Sequence, residues 1–278
     1  CDHCGAAFLQ PFPTPEDLAA AYPDAYWWSG GKQAGPGARL EKIYRELVLR
    51  HHVAVARRHF PVPSPRVLDV GCGSGSFLHV LERRTGVRGE GLEISSSAEA
   101  AVRDQYGLTV HAGDVGTAGF PAGAFDLVTM FHVVEHLAEP REALAKVVRW
   151  LAPGGVLLVQ VPNLASWQFR WFGRRWTGID IPRHLIDYTP DCLAGLLRDA
   201  GLSPGKPGFF SLRDNAPAMV SSLCPGLDPM ALAVRDIRRF AFFRKILYLV
   251  LVLAAQPVAA LEALAGRGGT MFLAASKQ

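Results

Sequence analysis

The sequence predicts an α/β fold: a doubly wound, mostly parallel sheet with a final antiparallel strand and a helical insertion near the C-terminus. Two observations predict it. Short apolar runs alternate with helical patterns between residues 65 and 212, as in a parallel sheet covered by helices. The chain has 278 residues, 49% hydrophobic and 19% charged, which is enough for one large domain with a hydrophobic core.

Composition divides the chain into four segments, which are an N-terminal lead-in (1–64), the α/β core (65–212), a hydrophobic helical insertion (213–268) and a last strand (269–278). The lead-in is rich in Pro, Gly and aromatic residues and is predicted to be irregular up to residue 37. Apolar residues at helical spacing then predict an amphipathic helix over 38–60, which Pro61 ends.

Within the core, each predicted strand is followed by a helix or a turn. The predicted strands are Arg66–Val70, Gly89–Ile94, Leu108–Ala112, Phe125–Met130 and Val156–Val161. The predicted helices follow the glycine turn as far as Arg84 and then cover Ser97–Tyr106 and Glu142–Leu151. The final antiparallel pair is predicted at Gly208–Arg213 and Thr270–Ala275.

The most informative stretch is the glycine turn after the first core strand, in which Gly71, Gly73 and Gly75 alternate with small residues. Glycines there let a ligand approach the backbone at a helix N-terminus. Asp69 lies two residues before the turn, where it can anchor the loop or meet a cationic group. Glu93 closes the next strand, where a carboxylate can accept hydrogen bonds from both ribose hydroxyls.

These residues, with Gly113-Asp114-Val115 and the segment around Glu135, resemble in order the motifs of class I S-adenosylmethionine-dependent methyltransferases, whose fold is Rossmann-like. The resemblance covers about residues 65–212 and implies S-adenosyl-L-methionine as cofactor and S-adenosyl-L-homocysteine as product. The cofactor contacts that it implies are Asp69, Gly71, Cys72, Gly73, Gly75, Glu93, Ile94, Asp114, Val115 and Phe131.

The chemistry of the turn agrees with this resemblance. The cofactor has a sulfonium cation and no phosphates, and the glycine loop contains no Lys or Arg. Two alternatives remain open from the sequence: a nicotinamide-dependent oxidoreductase or epimerase, and a non-catalytic nucleotide-fold scaffold. Ser76 departs from the dinucleotide spacing and argues against the first. The intact Asp69 and Glu93 argue against the second.

Three histidines are candidate general bases, because imidazole titrates near neutrality. His132 and His136 follow the fourth core strand at i, i+4 spacing, which one helical turn would place on one face. His184 lies in the connection after the fifth strand. Each of them has the alternative role of a histidine satisfied by backbone groups. We expect no metal site among these residues.

The segment from Asn163 to Tyr188 is rich in aromatic residues and is predicted to form the lid over the methyl acceptor. Its tryptophans could instead pack on the flank of the domain. The run of Pro-Asn, Trp and Pro-Arg-His-Leu resembles a subgroup related to ubiquinone-pathway O-methyltransferases. That resemblance implies O-methylation of a small or amphiphilic acceptor, such as a lipid-linked, polysaccharide or secondary-metabolite intermediate.

The N-terminus begins Cys-Asp-His-Cys without a start methionine, so we expect the native protein to extend further upstream. Cys1 and Cys4 resemble half of a zinc knuckle; zinc binding there is the less favoured interpretation, because no second pair follows. The nearby aromatic residues Tyr22, Tyr26, Trp27 and Trp28 are expected to fold over the cofactor cleft, or else to pack on the surface.

The bulk composition bears on compartment and partners. Five cysteines without a regular framework favour a reducing compartment, and we expect a cytoplasmic protein. A net charge of +4 gives no case for nucleic-acid binding.

The sequence of the predicted insertion also indicates what it could contact. Arg235, Arg238 and Arg239 have the spacing of one helix face, and the uncharged run Ile246–Leu261 follows. That run is shorter than the roughly 20 residues a spanning helix needs. Three roles stay open for residues 235–264: peripheral membrane contact, a homo-oligomer interface, or burial against the protein's own domain.

Overall fold

The computed structural model describes residues 1–2, 4–21, 38–229 and 241–278. The described strands are β1 (Ala7–Phe8), β2 (Val67–Val70), β3 (Gly89–Glu93), β4 (Val110–Ala112), β5 (Phe125–Phe131), β6 (Leu151–Pro162), β7 (Ile186–Asp187), β8 (Leu202–Pro204) and β9 (Thr270–Lys277). The described α-helices are α1 (Pro15–Ala21), α2 (Ala38–Arg57), α3 (Ser76–Thr85), α4 (Ser96–Tyr106), α5 (Pro140–Trp150), α6 (Trp167–Phe172), α7 (Pro190–Asp199), α8 (Asn215–Leu223) and α9 (Ala241–Leu264).

Seven strands form the main sheet in the order β4-β3-β2-β5-β6-β9-β8. The five strands from β4 to β6 are parallel to their neighbours. β9 runs antiparallel to both β6 and β8. This is the doubly wound α/β fold with a last antiparallel strand that the sequence predicts. The strand order reverses beside β2, where ligands bind at the carboxyl ends of such sheets.

Both faces of the sheet are apolar because side chains alternate along each strand. Leu68 and Val128 belong to a core cluster that includes Leu144 and Leu193 of α5 and α7. Their neighbours Val67 and Leu127 belong to a second cluster with Val53 of α2 and Leu78 of α3. Helices therefore cover both faces, and the sheet edge at the carboxyl ends of the strands is left to the connecting loops.

Local signals in the sequence set the helix ends. The Ser95 side chain accepts a hydrogen bond from the Ala98 backbone at the start of α4, and Thr189 caps α7 in the same way. Gly86 and Gly107 end α3 and α4 in the left-handed conformation. These caps fix the first turns of α4 and α7 and the last turns of α3 and α4.

The predicted strand at 208–213 is wrong. The strand that pairs with β9 on this side is β8, Leu202–Pro204. Within the predicted range, only Gly208 contacts β9, through an isolated bridge to Phe272. Leu202 is buried in the core, whereas the chain after Gly208 turns toward Asp214 and the start of α8. β6 also begins earlier than predicted, at Leu151, because Leu151 pairs with Phe125 before an irregularity in the register.

The C-terminal insertion contains two described helices, α8 and α9, which pack on each other. Ala216 and Val220 of α8 meet Val252 and Ala259 of α9 in a third apolar cluster. The helix is longer than the uncharged run 246–261 and covers Ala241–Leu264. The residues Arg235, Arg238 and Arg239 lie outside the described part of the chain.

The N-terminal lead-in docks on the connection that follows β6. β1 pairs antiparallel with β7, and Ala7 lies opposite Asp187. Tyr22, Tyr26, Trp27 and Trp28, which were expected over the cofactor cleft, lie outside the described residues.

Candidate active site

The glycine turn connects β2 to α3 with Gly71, Gly73 and Gly75 all at positive φ, 70°, 51° and 64°. A side chain would be strained at each of the three. A Cβ at Gly71 would lie 2.7 Å from Val133, and one at Gly75 2.4 Å from Val102. At Gly73 no heavy atom lies within 4 Å of the added Cβ. Two of the glycines therefore serve packing, and Gly73 faces the open space that a ligand would fill.

Glu93 ties the end of β3 to this turn. Its Oε2 accepts a hydrogen bond from the Gly73 backbone N at 2.8 Å, and its Oε1 accepts one from the Ser95 N at 3.1 Å. Each carboxylate oxygen has a second acceptor site, so both can still receive a hydroxyl. The buried carboxylate therefore stands beside the open position at Gly73, which fits a ribose.

Asp69 lies on β2, buried beneath the turn. Its Oδ1 accepts a hydrogen bond from the Thr129 hydroxyl at 2.6 Å. Burial raises the pKa of Asp69 to about 7, and the charge of Glu93 adds to that rise, while the bond from Thr129 opposes it. A cationic group next to Asp69 would favour its ionised form.

Of the other predicted cofactor contacts, Ile94 and Asp114 offer side chains at the carboxyl edge. Ile94 is 60% exposed directly after β3, which suits stacking against a flat ring. Asp114 is exposed, and its Oδ1 accepts from the Thr117 backbone and hydroxyl in the turn after β4. Cys72 and Val115 are buried in the two core clusters, so a contact from either would come from its backbone.

Phe131 ends β5 and packs against two rings, Phe77 at 5.1 Å and His52 at 5.3 Å between centroids. His52 in turn lies 2.9 Å from the Gln160 side chain. Burial lowers the pKa of His52 to about 4, so this ring is neutral at physiological pH. Phe131 thus forms part of an aromatic wall behind the end of β5.

His132 follows β5 at φ 57°, a backbone conformation that is uncommon for a residue with a side chain. Its ring lies between two carboxylates: Nδ1 is 3.0 Å from Glu135 Oε1, and Nε2 is 3.3 Å from Asp214 Oδ2. Burial alone would lower its pKa, but the charges of Asp214 and Glu135 outweigh burial and raise the pKa of His132 to about 9. The two carboxylates therefore favour the protonated ring at neutral pH, against the Gln160 amide nitrogen that lies 2.9 Å from Nε2.

Glu135, His136 and His184 form a second cluster beside it. Their potential ligand atoms lie within 4.8 Å of one another, and the two imidazole centroids are 4.8 Å apart. His136 Nδ1 lies 2.9 Å from the Arg183 carbonyl oxygen, and His184 Nδ1 lies 3.4 Å from Asp187 Oδ1. Burial lowers the pKa of His136, partly opposed by Glu135. Such a set can hold a proton or a divalent cation, although the sequence predicts no metal site.

His132 and His136 are not on one helical face, contrary to the prediction from their spacing. The segment Val134–His136 is a single 3₁₀ turn, and His132 precedes it with positive φ. His132 points to Asp214, while His136 points to Arg183. The structure brings the three predicted histidines together around Glu135 instead.

Three residues of this site were given no role by the sequence reasoning: Glu135, Gln160 and Asp214. Gln160 Nε2 donates to Asp214 Oδ2 at 2.5 Å, and Ser211 Oγ donates to the same oxygen at 2.5 Å. A signal for Gln160 existed, because an amide in an otherwise apolar buried strand needs partners. No signal in the sequence indicated Asp214, since it reaches the site from an insertion far along the chain.

The aromatic segment 163–188 contains α6 rather than a continuous loop. Trp176 is buried and its Nε1 donates to Gln168 Oε1 at 3.0 Å, so it packs the flank. Trp171 is exposed and tilts against Trp167 at 5.9 Å. The segment thus divides into a packed part and an exposed aromatic part.

Cys1 and Cys4, the candidate half of a zinc knuckle, are exposed free cysteines. The pKa of the Cys4 thiol is lowered, first by the backbone of Ala6, and the Cys192 side chain also bonds to it. This lead-in is held through β1 on the segment that carries His184, and zinc binding there stays the less favoured interpretation.

Comparison with known proteins places this geometry in a family. The model of a methyltransferase domain family matches residues 40–204, more than half of the chain. A ubiquinone biosynthesis O-methyltransferase of Cereibacter sphaeroides is 28% identical over 201 residues, which cover 65% of this chain and 78% of that protein. The nocamycin O-methyltransferase of Saccharothrix syringae is 33% identical over 145 residues, which cover 46% of this chain and 52% of that protein.

A solved structure shares the fold. The 1,6-didemethyltoxoflavin-N1-methyltransferase of Burkholderia thailandensis, crystallised with 1,6-didemethyltoxoflavin and S-adenosylhomocysteine, aligns with a TM-score of 0.56. The alignment covers 98% of this chain and 95% of that chain at 16% identity.

The family match sets aside the nicotinamide-dependent enzyme and the non-catalytic scaffold. The order of the motifs, the open glycine turn beside Glu93 and the matched family model lead to one conclusion. The chain belongs to the methyltransferase domain family and is a class I S-adenosylmethionine-dependent methyltransferase.

Proposed function

We propose that this enzyme methylates a hydroxyl oxygen of a small or amphiphilic acceptor, such as a lipid-linked, polysaccharide or secondary-metabolite intermediate. Relatives named as O-methyltransferases of ubiquinone and nocamycin support an oxygen acceptor. The aromatic pair formed by half-buried Trp167 and exposed Trp171 supports an acceptor with an apolar or ring-shaped part.

The observation that carries the proposal is the histidine cluster at the end of β5. Val133, between two of these histidines in the chain, contacts the glycine turn at Gly71, so the cluster borders the candidate cofactor cleft. The cofactor, when bound, supplies an electrophilic methyl group on sulfonium. The protein then has to align a hydroxyl with that methyl and accept the hydroxyl proton.

Among the three candidate bases, His136 is the one we propose. Its lowered pKa leaves it neutral near pH 7, and a neutral imidazole can accept a proton. His132 has a pKa raised to about 9 and already carries a proton there, so it is better suited to stabilising negative charge on the acceptor oxygen. Glu135, between the two, would hold both rings in place.

The test is methyl transfer from radiolabelled cofactor to a panel of phenols, alcohols and carboxylic acids, with and without an attached prenyl chain. Transfer to a phenol or alcohol gives a base-stable ether, whereas a carboxylic acid gives a base-labile ester. We expect the ether, and His136→Gln should lower turnover at saturating substrates at least about a hundredfold.

A matched control is His59→Gln, since His59 is also a part-buried histidine with a lowered pKa and lies after α2, away from the site. It should keep full turnover. A methyl ester as the sole product would contradict the hydroxyl acceptor. Equal turnover in the His136→Gln and His59→Gln variants would contradict the proposed base.

A further inference from the structure

Helix α9 leaves one side apolar and exposed to solvent. The stretch Phe243–Leu264 is long and apolar enough to cross a membrane by length and composition, yet only 17% of its most apolar window is buried. A core helix of a soluble protein can have the same length and composition, but most of such a helix is buried. Among the described residues, the exposed apolar side of α9 is therefore not packed as a core helix would be.

Every exposed residue from 247 to 265 is uncharged, and we call this set the outer stripe. It consists of Leu247, Val250, Leu253, Ala254, Pro257, Val258, Leu261, Leu264 and Ala265. Their spacing puts them on one side of the helix. Leu261 is 61% exposed and Leu264 85% exposed. At a rise of about 1.5 Å per residue the stripe is roughly 26 Å long.

The opposite side of α9 is fastened to the protein. Val252 and Ala259 are buried against α8, and the Tyr248 hydroxyl lies 3.2 Å from Ser221 Oγ. The buried Glu262 accepts a hydrogen bond from Gln168 Nε2 at 2.5 Å, which ties the helix to α6. One long side is thus fixed by packing and polar contacts, and in the described part of the chain the other is exposed.

This attachment rules out a helix that crosses the bilayer. β9 begins at Thr270, shortly after Leu264, and pairs with β6 and β8 of the main sheet. A spanning α9 would have to leave α8 and expose Glu262 to lipid, which is unfavourable for an ionisable side chain. The helix can meet a membrane only by lying along its surface, with the outer stripe facing the lipid.

The charges at the start of α9 indicate which surface it meets. Lys245 is exposed and Arg244 half-exposed next to the stripe, and Arg235, Arg238 and Arg239 precede it in the sequence. Between 243 and 265, all of which the structure describes, no exposed side chain is a carboxylate. Over residues 228–245 the sequence has five basic side chains and two acidic ones, Asp228 and Asp236, so this end is net positive. A second copy would add the same net positive charge, whereas anionic head groups complement it.

We propose that the outer stripe is a docking surface for an anionic lipid bilayer, with α9 lying in the plane of the membrane. The side chains of Leu247 to Leu264 would enter the acyl boundary, and the basic N-terminal end would sit among the head groups. This partner goes beyond the methyl-transfer reaction and does not depend on which acceptor is methylated.

The proposal is tested by flotation of the full chain with phosphatidylcholine vesicles, with and without phosphatidylglycerol, at low and high salt. We expect flotation with the anionic vesicles at low salt and less at high salt. The double variant Leu247→Glu/Val250→Glu should reduce the vesicle-bound to free ratio at least about tenfold.

The matched control is Ile43→Glu/Leu47→Glu, which places two charges on exposed apolar positions of α2. It should float like the wild type. Circular dichroism and a thermal shift with S-adenosylhomocysteine show that each variant is folded and binds the cofactor product. Folded wild type that stays in the soluble fraction with anionic vesicles overturns the proposal, and so does a stripe variant that floats like the wild type.

Light scattering on the same samples identifies the alternative occupant. The membrane proposal is overturned if the wild type is a dimer in lipid-free buffer, the stripe variant is a monomer and the wild type does not float. The stripe would then be a contact between two copies of the chain. A monomeric wild type that floats supports it.

Discussion

At the scale of single residues, Asp69 and His132 have pKa values displaced by their surroundings in ways that can be measured. Asp69 has a pKa raised to about 7, mainly by burial. A cationic group of the cofactor next to it favours the carboxylate. Binding therefore lowers this pKa and releases a proton, and affinity rises as the pH increases through about 7.

Calorimetric titration with S-adenosylmethionine near pH 7, in two buffers of different ionisation enthalpy, measures that proton. We expect release of up to about half a proton per molecule bound, because Asp69 is about half protonated there. The Asp69→Asn variant should release none from this position. Identical binding enthalpies in the two buffers for the wild type would show that Asp69 does not respond to the cofactor.

His132 is predicted to remain protonated well above neutrality. Its folded-state pKa of about 9 exceeds the ordinary 6.5, so its ion pairs with Asp214 and Glu135 stabilise the fold fully below pH 6.5. That stabilisation is lost as the pH rises through about 9. Imidazole resonances followed by NMR should give a midpoint near 9 for His132, and Asp214→Asn should lower it by more than one unit. A midpoint near 6.5 in the wild type would contradict the ion-pair account.

At the scale of elements, different glycines of the glycine turn are expected to serve packing and ligand binding. A Cβ at Gly75 would meet Val102 at 2.4 Å, whereas one at Gly73 meets nothing within 4 Å. Both positions have positive φ, so each alanine variant carries about 1 kcal/mol of backbone strain. Gly75→Ala adds a steric clash and should lower the melting temperature by several degrees more than Gly73→Ala.

For cofactor affinity we expect the opposite: relative to its loss of stability, Gly73→Ala should weaken binding more than Gly75→Ala does. Gly73→Ala fills space intended for the ligand and should weaken S-adenosylhomocysteine binding at least about tenfold while the protein stays folded. Thermal melts and calorimetry on the two variants measure both quantities. A Gly73→Ala variant with wild-type affinity would mean that the open position is not part of the cofactor cleft.

Most elements of the core could be predicted because local signals define them. β2, its glycine turn and Glu93 follow from an apolar run, three glycines and an acid at the end of the next strand. β8 could not be predicted in the same way. The segment with Phe209 and Phe210 has a strand-like composition, but Leu202 takes the place in the sheet because it packs into the core. Tertiary packing overrides a local preference here.

At the scale of the whole molecule, the candidate site is assembled from segments far apart in the chain. Asp214 reaches His132 from the beginning of the C-terminal insertion, and Gln160 joins them from the middle of the sheet. Residue spacing along the sequence carries no information about such contacts, which is why His132 was predicted and its distant carboxylate partner Asp214 was not. The cofactor side of the site lies on consecutive elements and was therefore predicted from the sequence.

The same long-range assembly connects the insertion to the site. α8 begins next to Asp214 and packs on α9, and Glu262 of α9 contacts Gln168 of α6. The proposed membrane surface, the aromatic segment 163–188 and the histidine cluster are therefore connected by direct contacts. An amphiphilic acceptor taken from a membrane would suit this arrangement.

The central claim is that the carboxyl edge formed by the glycine turn and Glu93 binds S-adenosylmethionine. Calorimetric titration of S-adenosylhomocysteine into wild type, Glu93→Ala and Glu90→Ala tests it most directly. Glu90 lies on the same strand and pairs with His111, so it controls for loss of an acid from β3. We predict saturable binding to the wild type and to Glu90→Ala, and a loss of about 1.5–3 kcal/mol in Glu93→Ala, since a charge-assisted acceptor for two hydroxyls is removed. Wild-type affinity in a folded Glu93→Ala variant would contradict the claim.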